Sequence, residues 1–152
     1  MKQGQRKPQF QLHDDRRLIT TTGNHISCTN LTFDGVMRGD GSLQQYGDGI
    51  VTINNAQNEQ TGDTTVNAGT LLVGGTENNS TAYLPSLVNV NPLGTLGGHG
   101  IIGGNVNNSG HVAPGASHGT LTILGDYVQS GNGTLTIDVH GADSDLLQVS
   151  GA

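Results

Sequence analysis

The tripeptide Gly-Thr-Leu occurs four times in this chain, and its recurrence limits the possible folds more than any other feature. The copies begin at Gly69, Gly94, Gly119 and Gly133, and a close variant, Gly-Ser-Leu, begins at Gly41. Motifs that return every ~20–50 residues are the signature of repeat architectures. A glycine, a β-branched residue and a leucine in that order are typical of a short strand that leaves a turn. We therefore predict a coil of short strands whose neighbouring turns bury each other's apolar side chains.

Short apolar runs, separated by Gly, Asn, Asp, Ser or Pro, continue from Leu18 to the end of the chain. Several of them alternate apolar and polar residues, which is the period of a strand with one buried face. Glycine interrupts every window long enough for a helix, so we expect almost no α-helix. The predicted fold is all-β, a single-stranded parallel β-helix over residues 18–152, preceded by a polar, loose lead-in at residues 1–17.

An antiparallel sandwich is the alternative, because it too contains many short strands. Three features favour the parallel coil: the copies are similar, Thr and Asn can stack in ladders on successive turns, and aromatic residues make up only 3%. We expect the interior to be formed by thirteen aliphatic residues, Leu71, Val73, Val88, Val90, Leu96, Ile102, Val106, Val112, Leu121, Ile123, Leu135, Ile137 and Val139. Residues 54–61 and 77–81 are polar and are predicted to be loops.

The charge distribution excludes several classes of function. The net charge is −6, and five of the six basic residues lie within the first 17 positions. With no basic stripe to neutralise phosphates, we expect no nucleic acid partner. No stretch approaches the ~20 apolar residues of a membrane helix, so we expect no membrane insertion by this chain.

Three stretches together resemble the autotransporter-associated β-strand repeat: residues 41–43 (GSL), 47–53 (GDGIVTI) and 61–71 (TGDTTVNAGTL). Residues 96–115 and 119–151 are similar to the segment that follows this repeat in passenger domains. The resemblance implies a right-handed parallel β-helix and a Gram-negative parent protein at the cell surface or outer membrane, or secreted. In that family a C-terminal β-barrel carries the passenger across the outer membrane, and many members are adhesins. Residues 96–150 resemble the membrane-proximal rungs that are thought to help the passenger fold.

The sequence departs from the family in three respects. It has no apolar signal segment within residues 1–17, no translocator barrel, and Gln45 where family members often carry lysine. We therefore expect the chain to be a fragment of a passenger, unable to export or anchor itself.

Arg38, Gly39 and Asp40 form the integrin-recognition tripeptide and are the candidate binding site. A bend between strands could present them to a receptor, although glycine and aspartate are also ordinary turn residues. A three-residue motif is a weak signal.

Three histidines, His99, His118 and His140, each precede a glycine at intervals close to one coil of a β-helix. Stacked at a shared corner, they could bind a metal through neutral imidazole nitrogens, or they could be ordinary turn residues. No cysteine or fixed carboxylate accompanies them, so we expect no metal or other cofactor.

The acidic residues Asp126, Asp138, Asp143 and Asp145 could supply the paired carboxylates of a glycoside hydrolase. They are also typical of strand ends and bends. Ser117 and His118 lack a nucleophile elbow, and Cys28 lies between apolar residues, where packing is the simpler role.

We predict a non-catalytic passenger fragment that serves as the structural stalk of a surface adhesin. The expected partner is a host surface or another copy of the chain, and no small-molecule substrate is expected. The alternatives are a carbohydrate-active β-helix enzyme and a self-associating module whose exposed strand edges stack.

Overall fold

The protein is a coil of short β-strands. The computed structural model describes residues 10–14, 17–21, 25–26, 30–75, 81–115 and 118–152, with side chains from residue 30 onward. In chain order the strands are β1 Phe10–Asp14, β2 Arg17–Thr21, β3 His25–Ile26, β4 Asn30–Phe33, β5 Met37–Gly39, β6 Leu43–Gln45, β7 Ile50–Ile53, β8 Glu59–Gln60, β9 Thr64–Val73, β10 Tyr83–Leu84, β11 Val88–Gly98, β12 Ile101–Ile102, β13 Val106–Asn108, β14 His111–Pro114, β15 Thr120–Ile123, β16 Tyr127–Gln129, β17 Thr134–Leu135, β18 Val139–His140, β19 Asp143–Ser144 and β20 Leu146–Val149.

The coil has three sides, each built from parallel strands of successive turns. The first side contains β3, β6, the first halves of β9 and β11, β13 and β16. The second side contains β4, β7, the second halves of β9 and β11, β14 and β17. The third side carries β5 and β8, followed by β10, β12, β15 and β20.

The predicted all-β parallel solenoid is confirmed: the strands wind through about five turns, and the described residues contain no helix. The sandwich alternative is wrong, since the strands of all three sides pair in parallel. Within the described ranges, antiparallel pairing between strands is confined to β1 with β2 and β5, and to the hairpin of β18 and β19. Strand β1 lies inside the predicted lead-in, and the boundary at residue 17 stays a prediction.

The Gly-Thr-Leu copies do not all occupy one side. Gly94 aligns with Gly69 in the adjacent coil, and the copy at Gly133 lies on the same second side. On the coil between these two copies, the second side carries Gly-His-Val in place of Gly-Thr-Leu, and its valine, Val112, pairs with Leu96. The copy at Gly119 instead opens the third side, and the variant at Gly41 opens the first.

The copies at Gly69, Gly94 and Gly133 mark corners where the backbone of the previous coil leaves no room for a side chain, and at Gly119 the His99 ring fills that space. A Cβ on Gly94 would come within 3.0 Å of the Val66 carbonyl oxygen, and one on Gly133 would collide with the Asn108 carbonyl oxygen. At another corner, a Cβ on Gly62 would collide with Gly41. The same steric requirement thus produces the same tripeptide at different corners of the coil.

The interior is a continuous stack of aliphatic side chains, one or two from each side of every coil. Ten of the thirteen predicted core residues are buried. The prediction is wrong for Leu135, Ile137 and Val139, which are 39%, 40% and 68% exposed. Leu135 lies on the last described coil, where no described strand follows to cover it. Val139 lies in the projecting hairpin.

Asparagine ladders connect successive coils, as the composition predicted. The Asn107 side chain donates to Asn89 at 2.9 Å, and Asn91 donates to Asn67 at 2.8 Å. Such side-chain stacks link successive coils and favour one register.

Candidate functional site

The three corners of the coil differ in length, and this difference locates the candidate site. The corner from the third side to the first is always three residues long, at 40–42, 61–63, 85–87, 103–105 and 124–126. The corner from the second side to the third varies widely, at 34–36, 54–58, 74–82, 99–100, 115–119 and 136–145. We call this variable corner the loop edge.

Insertions in repeat proteins accumulate on one face, which is often the binding face. A corner of fixed length holds successive strands in register, and a corner of variable length can change its loops without disturbing the stack. The loop edge is therefore the part of the described structure best suited to contact a partner.

The first long loop of this edge, residues 54–58, is held at its base by a buried asparagine. Asn58 is 4% exposed and connects three coils. Its side-chain oxygen accepts from the Met37 N–H at 2.8 Å, while its amide donates to the Tyr83 carbonyl at 2.8 Å. Beside it, Asn54 donates to the Asp34 carboxylate at 2.8 Å. The loop is thus fixed at its ends, and Gln57 is exposed at its tip.

The last loop of this edge, residues 136–145, contains the hairpin of β18 and β19, and a buried carboxylate holds its base. One oxygen of Asp145 accepts from the Gly119 N–H at 3.0 Å, and the other accepts from the Asp138 N–H at 3.1 Å. The Asp145 N–H also donates to the Asp138 carbonyl at 2.9 Å. Asp145 therefore closes its own loop and attaches it to the loop of the preceding coil.

The histidines divide into two environments. His118 and His140 contact each other edge to face at the loop edge, with ring centroids 4.9 Å apart. His99 is buried at 6% exposure, and its ring occupies the space that a Cβ on Gly119 would need. Within the described ranges, no group of three or more His, Cys, Asp or Glu could hold a metal ion.

The acidic residues serve the backbone. Asp145 is buried at 6% exposure, and both its oxygens accept from main-chain N–H groups. Asp126 accepts from the Ala152 N–H at 2.9 Å. Asp138 and Asp143 are exposed at the loop edge. The structure thus uses two of the four carboxylates as caps for the chain.

The tripeptide of Arg38, Gly39 and Asp40 lies on the third side, next to the first corner of the loop edge. Arg38 and Gly39 belong to β5, which pairs with β1 and β8, and Asp40 lies in the bend that follows. The Arg38 Nε atom is 3.2 Å from the Glu59 carboxylate. All three residues are exposed, and receptor binding by them stays a prediction.

Two predictions fall on residues outside the described ranges: the packing of Cys28 and most of the loop at 77–81. The anchoring roles of Asn58 and Gln45 were not predicted from the sequence. Gln45 donates to the carbonyls of Gly49, at 2.9 Å, and of Thr70 in the next coil, at 3.1 Å. A single sequence gave no signal for either, because asparagine and glutamine are common throughout the chain.

A polar network lies at the last coil of the first side. Asn108 donates to the Tyr127 hydroxyl at 3.0 Å, and that hydroxyl donates to Gln129 at 2.8 Å. Burial raises the pKa of Tyr127 above its ordinary value, and the hydrogen bond from Asn108 opposes this shift.

In the part of the chain that the structure covers, no helix has the length and apolar character needed to cross a membrane.

Comparison with known proteins agrees with this architecture. The chain is 40% identical over 95 residues to the adhesin BmaC autotransporter of Brucella suis biovar 1 (strain 1330). The match covers 61% of this chain and 3% of the length of that relative. No protein-family model matches the sequence. The parallel solenoid and this similarity confirm the resemblance to autotransporter passengers.

Proposed function

We propose that this chain is a non-catalytic, structural segment of a bacterial surface adhesin of the autotransporter type. The observation that carries the proposal is a parallel coil whose loops of variable length lie on one edge, together with similarity to an autotransporter adhesin. The coil supplies a stiff support through hydrogen bonds between turns, and the loop edge supplies the contacting surface. The parent protein would act at the cell surface or outer membrane.

The arrangement of the carboxylates supports a non-catalytic role. A glycoside hydrolase needs one carboxylic acid and one carboxylate that face the scissile bond. Asp145 is buried and caps backbone N–H groups, and Asp126 caps the corner near Ala152. A reducing-end assay with acidic polysaccharides tests this point, and release of new reducing ends would favour the enzyme alternative.

An adhesion assay tests the role of the loop edge. Beads coated with the chain are applied to cultured epithelial cells, and bound beads are counted against albumin-coated beads. We expect substitution of the exposed loop-edge residues Gln57, Asp143 and Ser144 by alanine to reduce binding. The matched control replaces by alanine the exposed residues Val128 and Gln148, which lie on the flat first and third sides. Equal loss in both variants, or binding no stronger than albumin, would contradict the proposal.

A further inference from the structure

The corner at residues 130–133 contains the one Asn-Gly dipeptide of the chain, Asn132-Gly133. This corner joins the first and second sides in the last described coil. The Gly133 N–H donates to the Ser130 carbonyl at 3.0 Å, so residues 130–133 form a tight turn. Asn132 is exposed at its tip.

Asparagine followed by glycine is chemically unstable when the backbone can bend, because glycine places no side chain in the path of its own nitrogen. We propose that Asn132 is a site of spontaneous deamidation and that the hydrogen bonds of this corner set its rate. The Gly133 nitrogen attacks Cγ of the Asn132 side chain, so that a new N–Cγ bond forms and the Cγ–Nδ2 bond breaks. The amide proton of Gly133 is transferred to the departing Nδ2, which leaves as ammonia. Water then opens the resulting succinimide at either carbonyl, giving aspartate or isoaspartate.

The folded corner slows this reaction by holding the attacking group. The Gly133 N–H is engaged with Ser130, and the Gly133 carbonyl accepts from the Gln129 side chain at 2.9 Å. The turn is also attached to the preceding coil at both ends. The Ser130 N–H donates to the Asn108 carbonyl, and the Thr134 N–H donates to the Gly110 carbonyl, both at 2.8 Å. Attack therefore requires the corner to open, and the opening equilibrium governs the rate.

The product would not fit the corner. Isoaspartate adds one carbon to the main chain directly before Gly133, which already lies too close to the Asn108 carbonyl to accept a Cβ. It also adds a negative charge. We expect the last coil to lose its register at this corner, which would expose the β17 backbone to solvent.

Peptide mapping by mass spectrometry of the intact folded chain, incubated at 37 °C and at two alkaline pH values, tests the proposal. We expect conversion at Asn132 to exceed that at every other described asparagine, to increase with pH, and to proceed more slowly than in the same chain in urea. Faster conversion at another asparagine in the folded chain would overturn the proposal.

A matched pair of variants tests the role of the corner. Gln129→Ala removes the bond to the Gly133 carbonyl and also the acceptor of the Tyr127 hydroxyl, which lies outside the turn. Loss of the bond to Gly133 should accelerate conversion roughly fivefold, the effect of losing one intramolecular hydrogen bond on an opening equilibrium. Tyr127→Phe, which removes only the hydroxyl, should leave the rate unchanged. Gln148→Ala removes an exposed amide from β20 and should leave the rate unchanged. Equal deamidation rates in the wild type and Gln129→Ala would overturn the proposal that the hydrogen bonds of this corner set the rate. Hydrogen exchange of residues 127–135, compared before and after conversion and in Asn132→Asp, separates the effect of the longer backbone from that of the charge.

Discussion

The Asp145 carboxylate accepts a hydrogen bond of 3.0 Å from the backbone N–H of Gly119, which lies one coil earlier on the loop edge. Because the second carboxylate oxygen accepts from Asp138, one side chain joins two loops. A local aspartate-capped turn thus becomes a connection between coils, and the hairpin of β18 and β19 is positioned by it.

We expect Asp145→Ala to lower the free energy of unfolding by about 1–3 kcal/mol, because two backbone N–H groups would lose their acceptor in a buried site. Asp145→Asn retains one acceptor oxygen and should cost less. Urea unfolding of both variants measures the difference. An alanine variant as stable as the wild type would contradict the anchoring role.

Gly94→Ala should destabilise the coil by about 1–3 kcal/mol, since the new methyl group would overlap the Val66 carbonyl and the backbone must shift. Gly131→Ala is the matched control, because a Cβ there has no heavy atom within 4 Å. It should change the free energy of unfolding by no more than about 0.5 kcal/mol. Thermal unfolding compares the two variants, and equal melting temperatures would contradict the steric argument.

Ile123→Asp should abolish the cooperative unfolding transition or lower the free energy of unfolding by about 4 kcal/mol or more. Ile123 is fully buried, and an aspartate at that position would be a charge without a partner. The adjacent Leu124 is 49% exposed, so Leu124→Asp should be tolerated. Circular dichroism follows the unfolding of both variants. A sharp transition that persists in Ile123→Asp would count against the assigned core.

Tyr127 makes the stability of the last coil sensitive to alkali. Burial raises the folded-state pKa above the ordinary value of 10.0, so the folded protein holds this proton more tightly than the unfolded chain. Its contribution to stability is complete below about pH 10 and is lost as the pH rises through the folded pKa. Urea unfolding between pH 8 and 11 should show a steeper alkaline loss in the wild type than in Tyr127→Phe. Parallel curves would contradict this assignment.

Arg38→Ala should lower the free energy of unfolding by less than about 1 kcal/mol, because both side chains of the Arg38–Glu59 pair are about two-thirds exposed. Urea unfolding checks this value. If it holds, a loss of cell attachment in Arg38→Ala would report recognition by the tripeptide, since the fold would be unaffected. A large loss of stability would show that β5 depends on the ion pair.

Much of the fold could be predicted from local sequence. Runs such as Leu121-Thr122-Ile123 alternate inward and outward, and the structure buries Leu121 and Ile123 as expected. Less of the candidate site could be predicted from the sequence. The sequence left open whether His99, His118 and His140 meet at a shared corner. His118 and His140 contact each other, whereas His99 is buried beneath Gly119 of the next coil. That contact between coils is not specified by sequence periodicity.

The sequence alone determined that glycine-led strands of aliphatic and β-branched residues coil in parallel, because the turn glycines and the apolar alternation of the strands act within a few residues of the chain. Only the tertiary structure decided which corner each copy occupies, as the copies at Gly94 and Gly119 show. Glycine is required at those corners where the preceding coil occupies the space of a Cβ, and such corners occur on more than one side of the coil. The corner that each Gly-Thr-Leu copy occupies depends on the summed lengths of all the loops between the copies. The same loop lengths also place the variable loops on one edge of the coil.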